Sequence, residues 1–261
     1  MSAPVPPDPW SALRRHTPAR IALGRSGASL PTREVLAFSL AHAQARDAVH
    51  TAFSVQAVTD AIESLELSTL AVDSAAPDRV TYLRRPDLGR RLSDSSRTLL
   101  NNRPSRTIDL AIVVADGLSS TAVHAHAAPL IAALLPLIRA EGWSLAPIVI
   151  ASQARVALGD EVGEMLSARL VLLLVGERPG LSSPDSLGAY LTFAPKVGRT
   201  DAERNCISNI RAEGLSYDQA AFKLAWHARE ALRLGLTGVG LKDESDTALL
   251  GGAPPDTLPQ A

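Results

Sequence analysis

Val171-Leu172-Leu173-Leu174-Val175-Gly176-Glu177-Arg178-Pro179-Gly180 is the stretch on which the fold turns. Five apolar residues in a row, two of them β-branched, predict a strand buried on both faces, the habit of a parallel sheet. Gly176 ends the run. Glu177 and Arg178 then stand at the strand's C-terminal mouth, and Pro179-Gly180 turns the chain. Open α/β sheets place their ligands at such mouths.

The same pattern repeats on the N-terminal side. Ile108 to Ala115 reads as a strand, Asp116-Gly117-Leu118 as a turn, and Ser119 or Ser120 as the cap of a helix reaching about Arg139. Pro129 and Pro136 predict that this helix is kinked or split. Ala146 to Ala151 is the next strand, Val156 to Met165 a helix, and the 171–175 strand comes after it. Strand, helix, strand, helix, strand is the βαβ rhythm of a doubly wound sheet. Ala189 to Phe193 adds a short strand, and Tyr217 to Leu234 a closing helix with Gly235 as C-cap.

Upstream the periodicity is helical. Thr32 to Phe53 carries a stripe of Val35, Phe38, Ala45, Val49 and Ala52, widened by Leu36, Leu40 and Ala43. Val55 to Leu67 reads as a second amphipathic helix, Val80 to Leu83 as a short strand, and Pro86 to Asn102 as a helix broken by Asn101-Asn102-Arg103-Pro104. The expected fold is α/β: a Rossmann-like, doubly wound, mostly parallel sheet over residues 106–242, preceded by a mainly helical subdomain at 31–105. A flexible arm at 1–30 and a flexible tail at 243–261 complete the chain.

Bulk composition excludes several functions. The 261 residues carry a formal net charge of -1, 46% hydrophobic and 20% charged residues, as a globular chain does. Aromatics are 4%, too few for a base-stacking platform, and no arginine patch is interleaved with them. No uninterrupted apolar run approaches the length of a membrane span, and the Pro-rich start has no signal-like apolar core. The single cysteine, Cys206, forbids an internal disulfide and fits a reducing, cytoplasmic setting.

The chemistry-bearing residues cluster at turns. Asp116-Gly117-Leu118-Ser119 offers an acid and a capped helix N-terminus, without a dinucleotide fingerprint, a P-loop or a nucleophile elbow. Ser152 to Val156 brings Arg155 to a second mouth, and Glu177-Arg178 form a third. Asp201 to Ile210 reads as a polar loop around Cys206, with no histidine near in sequence to activate the thiol. His124-x-His126 on a helix point about 200° apart and cannot share one ion. His42, Arg46 and His50 form a polar face. The residues thus supply no acid/base pair, metal cluster or nucleophile. They describe a domain that binds, as part of a cofactor enzyme or as a stand-alone flavodoxin-like or nucleotide-binding module.

Several stretches together resemble the ethanolamine ammonia-lyase small (light) subunit family. They are Arg20-Ile21-Ala22-Leu23-Gly24-Arg25-Ser26-Gly27 through Pro31-Thr32, Leu40 to His50, Val114-Ala115-Asp116-Gly117-Leu118-Ser119, Gly176-Glu177-Arg178-Pro179-Gly180-Leu181 with Asp185-Ser186-Leu187, and Cys206-Ile207-Ser208-Asn209-Ile210. The resemblance implies a subunit of an adenosylcobalamin enzyme that converts ethanolamine to acetaldehyde and ammonia by a radical route. A large subunit with a (β/α)₈ barrel would hold the substrate, and the α/β domain of this chain would close over the cobalamin. The family's cofactor contacts fall on Val156, Glu177 and Cys206, with Arg155 and Arg178 as neighbours. No D-x-H-x-x-G run offers a histidine to replace the cofactor's own lower base, so a base-on cobalamin is expected. By analogy the enzyme is cytoplasmic, with a bacterial microcompartment as a further setting.

Overall fold

The computed structural model describes residues 8–17, 19–102 and 106–246. The expectations for residues 1–7 of the arm, 103–105 of the break and 247–261 of the tail lie outside the described residues. Besides short 3₁₀ turns, the described residues form thirteen helices and strands: α1 (Thr32–His50), α2 (Val55–Glu63), β1 (Thr69–Asp73), α3 (Arg79–Arg84), α4 (Asp94–Asn101), β2 (Ile108–Ala115), α5 (Ser120–Ala140), β3 (Ile148–Ser152), α6 (Leu158–Met165), β4 (Ala168–Gly176), β5 (Leu187–Phe193), β6 (Arg204–Ile210) and α7 (Tyr217–Leu234).

One six-stranded sheet runs in the order β1-β3-β2-β4-β5-β6. The first four strands are parallel, and β5 and β6 are antiparallel to their neighbours. The fold is therefore α/β with a mixed sheet, parallel over four of its six strands and antiparallel at β5 and β6. The cause is chain length: a parallel return needs a crossover of roughly a dozen or more residues, and the link 177–186 is too short for one. The strand comes back as a hairpin instead.

Successive β4 side chains point to opposite faces, and both faces are dry. Leu172 and Leu174 pack with Ile112 and Val114 under α2, α5 and α7, whereas Val171 and Leu173 pack with Val113 and Val149 under α4 and α6. This two-sided burial is what the continuous apolar run encodes.

Other departures have local causes. Val80 to Leu83 is helical, not extended, because Asp78 caps it by accepting from the Thr81 amide at 2.8 Å, which outweighs the β-branching of Val80 and Thr81. The expected 86–102 helix is confined to α4, capped by Ser93, after a 3₁₀ turn at Leu88–Arg90. α2 ends at Glu63, short of the expected Leu67, and the mainly helical subdomain expected at 31–105 supplies the edge strand β1 just beyond it. Asp201 to Ile210, read as a loop, holds the opposite edge strand β6. α5 stays in one piece because Pro129 and Pro136 lie on its exposed side, where the carbonyls they leave unpaired meet water. By length and composition α5 is apolar enough to cross a membrane, which counting uninterrupted runs had missed. Half of that window is buried within the protein, against the sheet. α1 buries only Ala41 and Ala48, and Val35, Leu36, Phe38 and Leu40 of its expected inner stripe are exposed.

Candidate functional site

Three strand mouths meet at the C-terminal edge of the parallel strands. Gly117, in the turn after β2, adopts φ +55°, and a Cβ there would lie 2.3 Å from the Gly176 carbonyl oxygen. A Cβ on Gly176 would in turn lie 2.1 Å from the Ser119 carbonyl oxygen. Only glycines let the two backbones touch, and the Leu118 amide donates to the Gly176 carbonyl at 2.9 Å across the contact.

Beneath this contact lies a buried polar frame. Asp116 directly follows β2 and is 1% exposed. Its Oδ1 accepts from the Ala154 amide at 2.9 Å, and its Oδ2 faces the Arg79 Nη1 at 3.2 Å. Arg79 also donates to the carbonyls of Gly117 at 2.8 Å and Val49 at 2.8 and 3.0 Å, which ties α1 and α3 to the mouth of β2. Burial pushes the Asp116 carboxyl up to about 6 against these bonds. The guanidiniums of Arg79 and Arg155 both lie over the Tyr82 ring, 4.9 and 4.6 Å from its centroid. Burial pushes the Tyr82 phenol up to about 12, and its hydroxyl donates to the Ala154 carbonyl at 3.2 Å.

Above this frame opens a cavity of about 380 Å³. Arg155 and Val156 line it from the β3 turn, Glu177 and Arg178 from the β4 turn, and Tyr82 and Tyr190 close its sides. Arg155 is held by its backbone amide to the Gly89 carbonyl at 2.8 Å and by Nη2 to the Tyr82 carbonyl at 3.2 Å. Its Nε is buried with no partner. The Glu177 carboxylate accepts from the Ser186 hydroxyl and, at 3.4 Å, from the Asn209 amide. It lies directly over Gly188, where a Cβ would come within 2.9 Å of Oε1. Arg178 is exposed and forms no ion pair with Glu177 or with any other of the described residues.

Cys206 does not line the cavity. It is exposed on β6, in register with Tyr190 of β5, which does line it. Burial, and then the Cys206 thiol on the neighbouring strand, raise the Tyr190 phenol above its ordinary range. The Cys206 Sγ lies 3.3 Å from the Ser208 hydroxyl on the same open face. Of the five residues singled out in the sequence, four therefore share one cavity, and the fifth is joined to it through Tyr190. Sequence reasoning missed Tyr82, Tyr190, Gly188 and the Arg79 frame. Only Asp116 carried a signal, as an acid directly after a strand.

The two histidines of α5 serve separate ends of the fold. His124 accepts from the Ser54 amide at 3.0 Å and stacks on Phe53. His126 is buried with Nδ1 2.8 Å from the Tyr217 hydroxyl and Nε2 3.6 Å from Asp185, on the loop that leads from Glu177 to β5.

The chain's likeness to known proteins covers this whole architecture. The family model described as ethanolamine ammonia-lyase light chain matches residues 7–242. The ethanolamine ammonia-lyase small subunit of Azotobacter vinelandii is 59% identical over 96% of this chain and 94% of its own length. Those of Xanthomonas campestris pv. campestris and Ralstonia nicotianae are 57% and 58% identical, over 100% and 95% of this chain and 97% and 93% of theirs. With every strand and the complete cavity inside the matched span, the chain belongs to the ethanolamine ammonia-lyase light-chain family, as one subunit of a lyase.

Proposed function

We propose that this chain is the small subunit of an adenosylcobalamin-dependent ethanolamine ammonia-lyase and holds one side of a base-on cobalamin at the strand mouths, with a large subunit holding the other side. The carrying observation is the donor set of the 380 Å³ cavity. A corrin is rimmed by amide side chains, which need donors and acceptors in alternation. The buried, partnerless Arg155 Nε is a donor awaiting an acceptor, and Glu177 is an acceptor. Val156 and the Tyr190 ring offer apolar surface to the ring periphery, and the open face of β5 and β6 continues past Cys206. These residues fit the group. A whole cobalamin is far larger than this cavity, which supports completion of the socket by a second chain. The four parallel strands, with α5 on one face and α6 on the other, support the Rossmann-like, doubly wound part of the reading.

Bound adenosylcobalamin supplies the radical chemistry by which ethanolamine becomes acetaldehyde and ammonia. The residues of this chain bind and orient. Arg155 is stacked on Tyr82 and fixed at its backbone, so it donates from a set position. Glu177, braced by Ser186 and Asn209, accepts from amides at the ring edge. Val156 and Tyr190 keep water from that edge. The substrate-handling groups are assigned to the large subunit.

The test is co-expression with a matching large subunit, then visible absorbance of the purified complex after loading with cobalamin. Retained cobalamin absorbance and ethanolamine deamination are the expected outcome. A folded complex with neither overturns the proposal. Glu177→Ala should raise the apparent KM for the cofactor about tenfold or more, the cost of one hydrogen bond to a charged group, with a smaller loss of kcat. The reverse pattern would remove Glu177 from the binding role.

A further inference from the structure

A second and larger cavity, of about 590 Å³, lies immediately beyond the turn that enters α6. Ala157 lines it, and the preceding residue, Val156, lines the first cavity. Five arginines face it: Arg90, Arg91, Arg97, Arg199 and Arg204. The two lining carboxylates are engaged. Glu161 accepts from the Leu92 amide at 2.8 Å and from Arg97, and Asp201 faces the buried Arg204 at 3.4 Å. Arg204 is further paired with Asp160, and Arg199 with Glu203. Arg90 and Arg91 are exposed and have no ion pair among the described residues. The cavity is thus left with two uncommitted guanidinium forks, geometry suited to a phosphate.

We infer that this cavity seats the phosphodiester of the cofactor's nucleotide tail, with Arg90 and Arg91 as its recognising residues; the inference rests on the cobalamin reading above. Three observations bear on it. The first cavity, of about 380 Å³, leaves most of a cobalamin outside it. The tail of a base-on cobalamin stays tethered to the corrin rim, so it must lie beside the first cavity, and the arginine cavity is one residue away. The amides of the corrin are neutral and the phosphodiester is the tail's anionic group, so it alone answers uncommitted guanidiniums. Free inorganic phosphate shares that chemistry, and the experiment separates the two sources.

The experiment uses the purified complex of large and small subunits, as wild type and as the double variant Arg90→Gln/Arg91→Gln. Equilibrium dialysis read by visible absorbance compares cobalamin with cobinamide, the corrin lacking the nucleotide and its phosphate, each with and without inorganic phosphate. Neither arginine takes part in the buried frame, so the variant should assemble normally. We expect cobalamin to bind at least tenfold more weakly to the variant, cobinamide to bind both proteins alike, and inorganic phosphate to compete with cobalamin on the wild type only. Equal losses for both corrins, or no loss for either, would overturn the assignment. Phosphate bound by the wild type while the variant keeps full cobalamin affinity would make this a free-phosphate site and overturn it too. A variant that no longer assembles with the large subunit would mark the cavity as a dock for an acidic segment, against the inference. Wild type that binds neither corrin would instead overturn the cofactor reading itself.

Discussion

Glu177 is positioned by the absence of a side chain at Gly188. A methyl group there would sit 2.9 Å from Oε1, closer than a real contact allows, so Gly188→Ala must push the carboxylate off Ser186 and Asn209. The expected result is a cofactor KM raised severalfold with little change in the thermal midpoint, measured in the assembled enzyme. An unchanged KM would mean that the carboxylate position is unimportant. Asp116 gives a pH signature. Its folded-state value near 6, against an ordinary 3.8, means that the native protein binds its proton more tightly than the unfolded chain. Between those values stability falls as pH rises, by about 3 kcal/mol in all, and above 6 the cost is constant. Urea titrations of wild type and Asp116→Asn from pH 4 to 7 should therefore show the wild type's advantage shrinking as pH rises through that window. A pH-independent difference would contradict the burial argument. At this scale the loops that carry Glu177, Arg178 and Arg155 were legible because each follows a strand run, and Val156 was singled out through the family resemblance. Tyr82 and Tyr190 were not, because a lone tyrosine between apolar residues reads the same whether it lines a cavity or fills a core.

Helix α3 is short, and its existence depends on its cap. The Asp78 carboxylate accepts from the Thr81 amide and hydroxyl, in a stretch whose residues otherwise favour extension. Asp78→Ala removes the cap and should lower Tm by roughly 2–4 °C for a domain of this size. Because α3 carries Arg79 and Tyr82, the same change should loosen Arg155 and weaken cofactor binding. Calorimetry and dialysis on one sample test both. A stability loss with intact binding would detach α3 from the site. The central elements were legible because β2, β3 and β4 are apolar on both faces, and α7 ends at a left-handed Gly235 with φ +72°. The edge strands escaped notice for the opposite reason. β6 reads Arg204-Asn205-Cys206-Ile207-Ser208-Asn209-Ile210 and buries only Arg204, Ile207 and Ile210, so its polar residues conceal the pattern. β1 is five residues long and half covered, too short to assert a period.

At the level of the whole molecule, helix α1 stands apart from the layered body. Small residues seat it, and Val35, Leu36, Phe38 and Leu40 remain exposed along its first turns. An apolar surface of this kind on a chain whose relatives are named small subunits is where the proposed large subunit should dock. Leu36→Glu with Phe38→Glu should make the isolated chain more soluble and lower its association with the large subunit by tenfold or more, read by analytical ultracentrifugation. Unchanged association would place the interface elsewhere. The layered α/β plan was legible from the chain's rhythm. The antiparallel edge of β5 and β6 was not, because a hairpin and a crossover begin with the same buried strand and differ only in the length of the connection to the next one.

The glycine pair at 117 and 176 has a thermodynamic consequence. Two lips of the rim that touch backbone to backbone cannot swing independently, so whatever settles on one finds the other already in place. A group bound at this rim would leave little chain entropy to surrender on association.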